Sequence, residues 1–179
     1  MRRLLLLVTA TFVVSGCTFP AVKADPGTAL TPPSKPPFIV LGPVTAADPD
    51  WEPYRQPFVD GFATWFRNNP GVPDALTDRA AEFPAGAVVL TGTITQVDEG
   101  SWPLRTFVGM GAGRQHVSGD FEIVDAAGQR LTRFNARETY LGGVGFRGPS
   151  LLSMEDLVRR LSETVAKSAR RWANGEPVE

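Results

Sequence analysis

The chain has 179 residues, room for one domain with a leader but not for two independent cores. Lys plus Arg is 18 and Asp plus Glu is 19, a net charge of −1 with no dense basic run, which excludes the electrostatic footprint of a nucleic-acid-binding protein. One Cys and one His exclude an internal disulfide framework and a Cys/His zinc site, so Cys17 has another task.

The N-terminus reads as an address. Met1-Arg2-Arg3 precedes an apolar run from Leu4 to Val14, too short for the roughly 20-residue helix that crosses a bilayer. The run ends in Val14-Ser15-Gly16-Cys17, which resembles the lipobox of bacterial lipoproteins. That resemblance implies a signal peptide over 1–16 and an acylated, palmitate-bearing Cys17 as the new N-terminus. More than one acyl chain makes such attachment to membrane lipid stable. Thr18, in place of the aspartate that favours inner-membrane retention, implies the inner leaflet of an outer membrane, facing the periplasm.

Residues 18–37 carry Pro20, Pro26, Pro32, Pro33, Pro36 and Pro37 without apolar periodicity, and are expected to be a disordered tether. At about 3.1 Å per residue it would reach roughly 60 Å from the lipid. The folded domain is expected over 38–175, after the leader (1–16) and the anchor with its tether (17–37).

Phe38-Ile39-Val40-Leu41, closed by Gly42-Pro43, predicts a short buried strand. Tyr54, Phe58, Phe62, Trp65 and Phe66 recur at three- and four-residue spacings before Asn68-Asn69-Pro70-Gly71, which predicts an amphipathic helix over 55–68 whose aromatic stripe faces a core. From Val88 to Val97 the chain alternates, Val88, Leu90, Gly92 and Ile94 on one side and Val89, Thr91, Thr93 and Thr95 on the other. Val117, Gly119, Phe121 and Ile123 repeat this against His116, Ser118, Asp120 and Glu122. The turn Asp125-Ala126-Ala127-Gly128-Gln129 makes a hairpin with the run Arg130 to Tyr140, whose parity change predicts a bulge near Thr132-Arg133. Asp120 and Glu122 then face Arg130, Arg133 or Arg137. After the glycine-rich stretch 142–149, Met154, Leu157, Val158, Leu161, Val165, Ala169 and Trp172 form one helical face, capped by Ser153 with Asp156 and ended by Asn174-Gly175. The order β-α-β-β-β-α predicts an α+β domain, a mainly antiparallel sheet with both helices on one face.

Chemistry is sparse. Gly109-Met110-Gly111-Ala112-Gly113-Arg114 lacks the spacing and the following helix of a dinucleotide or phosphate loop, so no nucleotide, cofactor or metal is expected. His116, Ser118 and Asp120 alternate along one strand, where neighbours on a face stand about 7 Å apart, outside hydrogen-bond reach. Asp98, Glu99, Asp120, Glu122 and Glu138 could supply a hydrolytic carboxylate pair, yet no spacing forces two of them together. The apolar, glycine-rich stretch between Arg105 and Arg114, with Phe107, Gly109, Gly111 and Gly113, is the expected binding loop.

Together the lipobox, the Pro-rich segment, Val89-Leu90-Thr91-Gly92-Thr93-Ile94-Thr95, Gly109-Met110-Gly111-Ala112-Gly113 and Asp125-Ala126-Ala127-Gly128 resemble a bacterial lipoprotein family labelled as a domain of unknown function. Its layout is similar to the periplasmic module of the curli-secretion lipoprotein, the penicillin-binding-protein activator lipoprotein and the N-terminal domain of the Tol propeller protein. The resemblance implies a non-enzymatic envelope module that binds another envelope protein or itself. The alternative is a cell-wall or glycan hydrolase, or a glycan-binding module using Trp51, Tyr54 and Trp102.

Overall fold

The computed structural model describes residues 18–25, 32, 34–76, 84–101, 114–140 and 152–178. In chain order these form β1 (Thr18–Ala24), β2 (Phe38–Ala46), a 3-10 turn (Pro49–Tyr54), α1 (Arg55–Asn68), β3 (Asp74–Leu76), β4 (Val88–Asp98), β5 (Gln115–Val124), β6 (Arg130–Tyr140) and α2 (Met154–Ala173). The strands make one sheet of order β1-β6-β5-β4-β2-β3. It is antiparallel from β1 to β4, and β2 runs parallel to both β4 and β3. This is the expected α+β class, with both helices on one face.

Alternation decides which side chains meet the helices. Leu90, Ile94, Val117, Phe121, Ile123, Phe134 and Ala136 share one face and are buried with Phe58, Phe62, Leu157, Leu161, Val165 and Trp172 in a single core. Phe121 is its centre, with Phe58 stacked on it at 5.3 Å and Phe134 at 5.8 Å between ring centroids. The ring fits because glycines floor it. A Cβ on Gly92 would lie 2.2 Å from a ring atom of Phe121, and one on Gly119 would lie 2.8 Å from another. Gly61 does the same between helices, since its Cβ would fall 2.1 Å from Ser162 Oγ and 3.1 Å from the Arg159 backbone. The helix ends follow the sequence: Ser153 and Asp156 form a reciprocal capping box, and Gly175 turns the chain away at φ +86°.

Two expectations at the strands are corrected. Residues 18–24, read as the start of a tether, are an edge strand paired with β6 from Thr18↔Tyr140 to Ala24↔Phe134. Pro20 hid it in the sequence, yet an edge strand tolerates a missing ladder donor. The Phe38–Leu41 run does not stop at Gly42-Pro43 but bulges there and continues to Ala46, with Val44 back in register against Gly92. The bulge expected near Thr132-Arg133 is present, at Leu131, because Ile123 pairs with Thr132 and Val124 with Arg130. Finally, the short β3 adds an edge that no apolar pattern announced.

Candidate functional site

The face of the sheet opposite the helices is built from the other parity of the same strands. Register aligns its side chains in rows across the sheet: Phe19, Thr139, His116 and Asp98; Ala21, Arg137, Ser118 and Gln96; Lys23, Asn135, Asp120, Thr93 and Thr45; Arg133, Glu122 and Thr91. Among the described residues no helix lies on this face. Short polar residues dominate it and are held in place by one another. Asn135 Nδ2 donates to Asp120 Oδ1 at 2.8 Å and to the Gly119 carbonyl at 3.1 Å. The Thr45 and Thr93 hydroxyls lie 3.0 Å apart. The Arg133 guanidinium meets Asp120 at 3.2 Å and Arg130 meets Glu122 at 3.1 Å, two of the pairings the sequence offered. Arg137 instead donates to Gln96 Oε1 at 3.2 Å. The result is a surface whose polar side chains are held in place by their own hydrogen bonds and ion pairs.

His116 sits in the first row with Nδ1 3.7 Å from Asp98 Oδ2, beyond hydrogen-bond length, and with Nε2 buried and unpartnered. Burial, and then the Arg137 charge, lower its pKa from the ordinary value, against the opposing pull of Asp98. Among the described residues no nucleophilic side chain is hydrogen-bonded to His116.

The carboxylates do not converge. Asp120 and Glu122 are neutralised by arginines on the open face, while Glu138 points the other way into the core and is 3% exposed. Its Oε1 accepts from Thr164 Oγ1 at 2.5 Å and its Oε2 is unpartnered, so burial raises its pKa despite that hydrogen bond and the nearby Arg160. Glu99 accepts from the Tyr54 hydroxyl at 3.3 Å. Burial first, and then the Glu99 charge, push the Tyr54 phenol up. Of the aromatics considered for glycan binding, Trp51 and Tyr54 pack against the core and Trp102 lies outside the described residues. A shallow hollow of about 180 Å³ at the far edge is lined by Ala63, Phe66, Arg67, Asp74 and Ala75, a set without a nucleophile or an acid pair. Among the described residues no cluster of His, Cys, Asp and Glu could hold a metal ion, and no helix is long and apolar enough to cross a membrane.

Of the expected site residues, Arg114 is described, exposed and immediately precedes β5, whereas Cys17, Arg105, Phe107, Gly109, Gly111 and Gly113 lie outside the described residues. Their neighbours nevertheless fix where those segments attach. Thr18, Tyr140, Gln115 and Asp98 share one end of the sheet, so residue 17 and the 102–113 segment both join the fold there. Sequence reasoning missed β1, and with it the extension of the open face to Phe19, Ala21 and Lys23; the signal was the alternation of Phe19, Ala21 and Lys23 with the core-packed Val22 and Ala24.

Residues 74–143, from the first residue of β3 to just beyond β6, match a family described as a domain of unknown function (DUF4410). No curated protein matches the chain. Among solved structures, the PelC dodecamer from Paraburkholderia phytofirmans is similar at 18% identity, covering 81% of this chain and 95% of that chain with a TM-score of 0.46. A leucine-to-methionine variant of the same PelC dodecamer is similar at 18% identity, covering 87% of this chain and 98% of that chain, also with a TM-score of 0.46.

Proposed function

We propose that this protein is a lipoprotein of the cell envelope, anchored through an acylated Cys17 on the inner leaflet of the outer membrane and facing the periplasm. Its open sheet face binds another envelope protein or a second copy of the chain, and it acts without catalysis. The observation that carries this reading is the face itself, with its rows of hydrogen-bonded polar side chains clear of both helices. The lipobox-like run Val14-Ser15-Gly16-Cys17 supports the anchor in this reading. The candidate acids give the hydrolase no support: Asp120 and Glu122 are ion-paired with Arg133 and Arg130, and Glu138 is buried on the other side of the sheet.

The test is photo-crosslinking in intact envelopes. A photoreactive residue at Thr93 or Asn135 should capture an envelope protein or a second copy, while one at Lys167, exposed on α2, should capture neither. Capture from Lys167 alone would refute the assignment of the face. The anchor is tested separately: Cys17→Ser should be released from membranes by a salt wash, and retention would refute it.

A further inference from the structure

We propose that the folded domain has no tether and is seated on the phospholipid surface at the start of β1, with Phe19 in the headgroup layer. This rests on the lipidation of Cys17 proposed above. Thr18, the residue bonded to Cys17, is already paired with Tyr140, and the pairing runs unbroken to Ala24. Consecutive Cα atoms are about 3.8 Å apart and a strand rises about 3.3 Å per residue, so chain length alone keeps Phe19 within about 7 Å of the Cys17 Cα. The headgroup layer is itself about 5–7 Å thick on each side of the hydrocarbon. A cysteine whose acyl chains enter the hydrocarbon therefore holds Phe19 at the interface. The flexible segment expected from sequence would have allowed roughly 60 Å, and that difference in reach decides between a domain that roams and one that rests on lipid.

Two observations show that the seat is built. The start of β1 is clamped from the helix side, where Arg160 Nη1 donates to Thr18 Oγ1 at 3.2 Å, and Val22 and Ala24 pack against the core further along. Phe19 projects on the other side and is 51% exposed; among the described residues the only other large apolar side chain so exposed is Val72, beyond the opposite helix. An aromatic ring left half in water gains by entering the headgroup region, where amphipathic and aromatic side chains concentrate. Asp98, the acid of the same row, is three strands away, about 14 Å across the sheet at about 4.8 Å per strand, and does not crowd this corner. In this orientation the row from Phe19 to Asp98 is nearest the lipid and the Asp125–Gln129 turn is farthest from it.

The experiment uses full-length acylated protein in vesicles of phosphatidylethanolamine with phosphatidylglycerol. Acylation consumes the chain's one native thiol, so Phe19→Cys carries the only free one and takes a single environment-sensitive fluorophore; Lys23→Cys and Ala126→Cys are labelled likewise. Spin-labelled lipids should quench position 19 several-fold more than position 126, with position 23 in between. A 20-residue Gly/Ser insertion between Cys17 and Thr18 should bring position 19 down to the level of position 126. Mass spectrometry of each preparation separates the two readings. An acylated protein whose position 19 is quenched no more than position 126 overturns the seating and leaves the anchor standing. A protein without acyl mass on Cys17 overturns the anchor and the seating with it.

Discussion

The two faces of the sheet are made by the same strands and differ only in parity, yet they do opposite physical work. On the helix side, Phe121 touches Phe58 and Phe134 over a floor of glycine, and replacing one atom group disturbs a close-packed interior. On the open side, Asp120, Asn135, Thr93 and Thr45 meet through hydrogen bonds and ion pairs at the edge of water. Stability therefore concentrates in one face. The other can change its residues at little cost to the fold, as the proposed binding role requires.

Leu161→Ala, fully buried on α2, should lower stability by about 2–5 kcal/mol in chemical denaturation, the range for truncated core leucines. Gly92→Ala should cost about 1–3 kcal/mol although it adds only a methyl group, because that carbon meets the ring of Phe121. A fall in stability on removing bulk at 161 and on adding it at 92 is the signature of a filled core.

Glu138→Gln should act in the opposite direction and with a fixed pH dependence. The folded protein raises the pKa of Glu138 above its ordinary value of 4.5. It therefore keeps a proton at a pH where the unfolded chain has lost it, so stability is fully present below that value and falls as pH rises through the folded one. The glutamine variant escapes this loss: thermal unfolding should show it more stable than wild type above neutral pH, with the gain shrinking on acidification toward 4.5. A gain that grows on acidification would reverse the assignment. The smallest effect belongs to the open face, where Arg133→Ala removes a half-exposed pair with Asp120 and should change stability by only about 0.2–1 kcal/mol.

What the sequence made legible was whatever periodicity encodes. The stripe from Phe58 to Phe66 marked α1, the Ser153–Asp156 box and Asn174-Gly175 bracketed α2, and the alternation through Gly92 and Gly119 assigned both faces of β4 and β5. The edges were not legible. β1 carries Pro20 and Lys23, which guard an unpaired strand against further pairing and by the same token dilute its pattern. Asp74–Leu76 is too short to have a period. Gly42-Pro43, a turn signal in isolation, is a bulge in context because β4 supplies pairing on both sides of it. The candidate site was half legible: alternation placed Thr93, Ser118 and Asp120 on the open face, although Ser118 is buried there, but their continuation across Asn135 to Lys23 depends on pairing between segments more than a hundred residues apart.

The measurement closest to the central claim compares partner capture and stability in one pair of variants. Thr93→Arg with Asn135→Arg places two bulky cations in the middle row of the open face, while Leu161→Ala attacks the core. The proposed partner face predicts that the arginine variant unfolds within about 1 kcal/mol of wild type and loses capture by a photoreactive residue at Thr45, in the same row, whereas Leu161→Ala loses capture only as far as it unfolds. Undiminished capture by the folded arginine variant would contradict it.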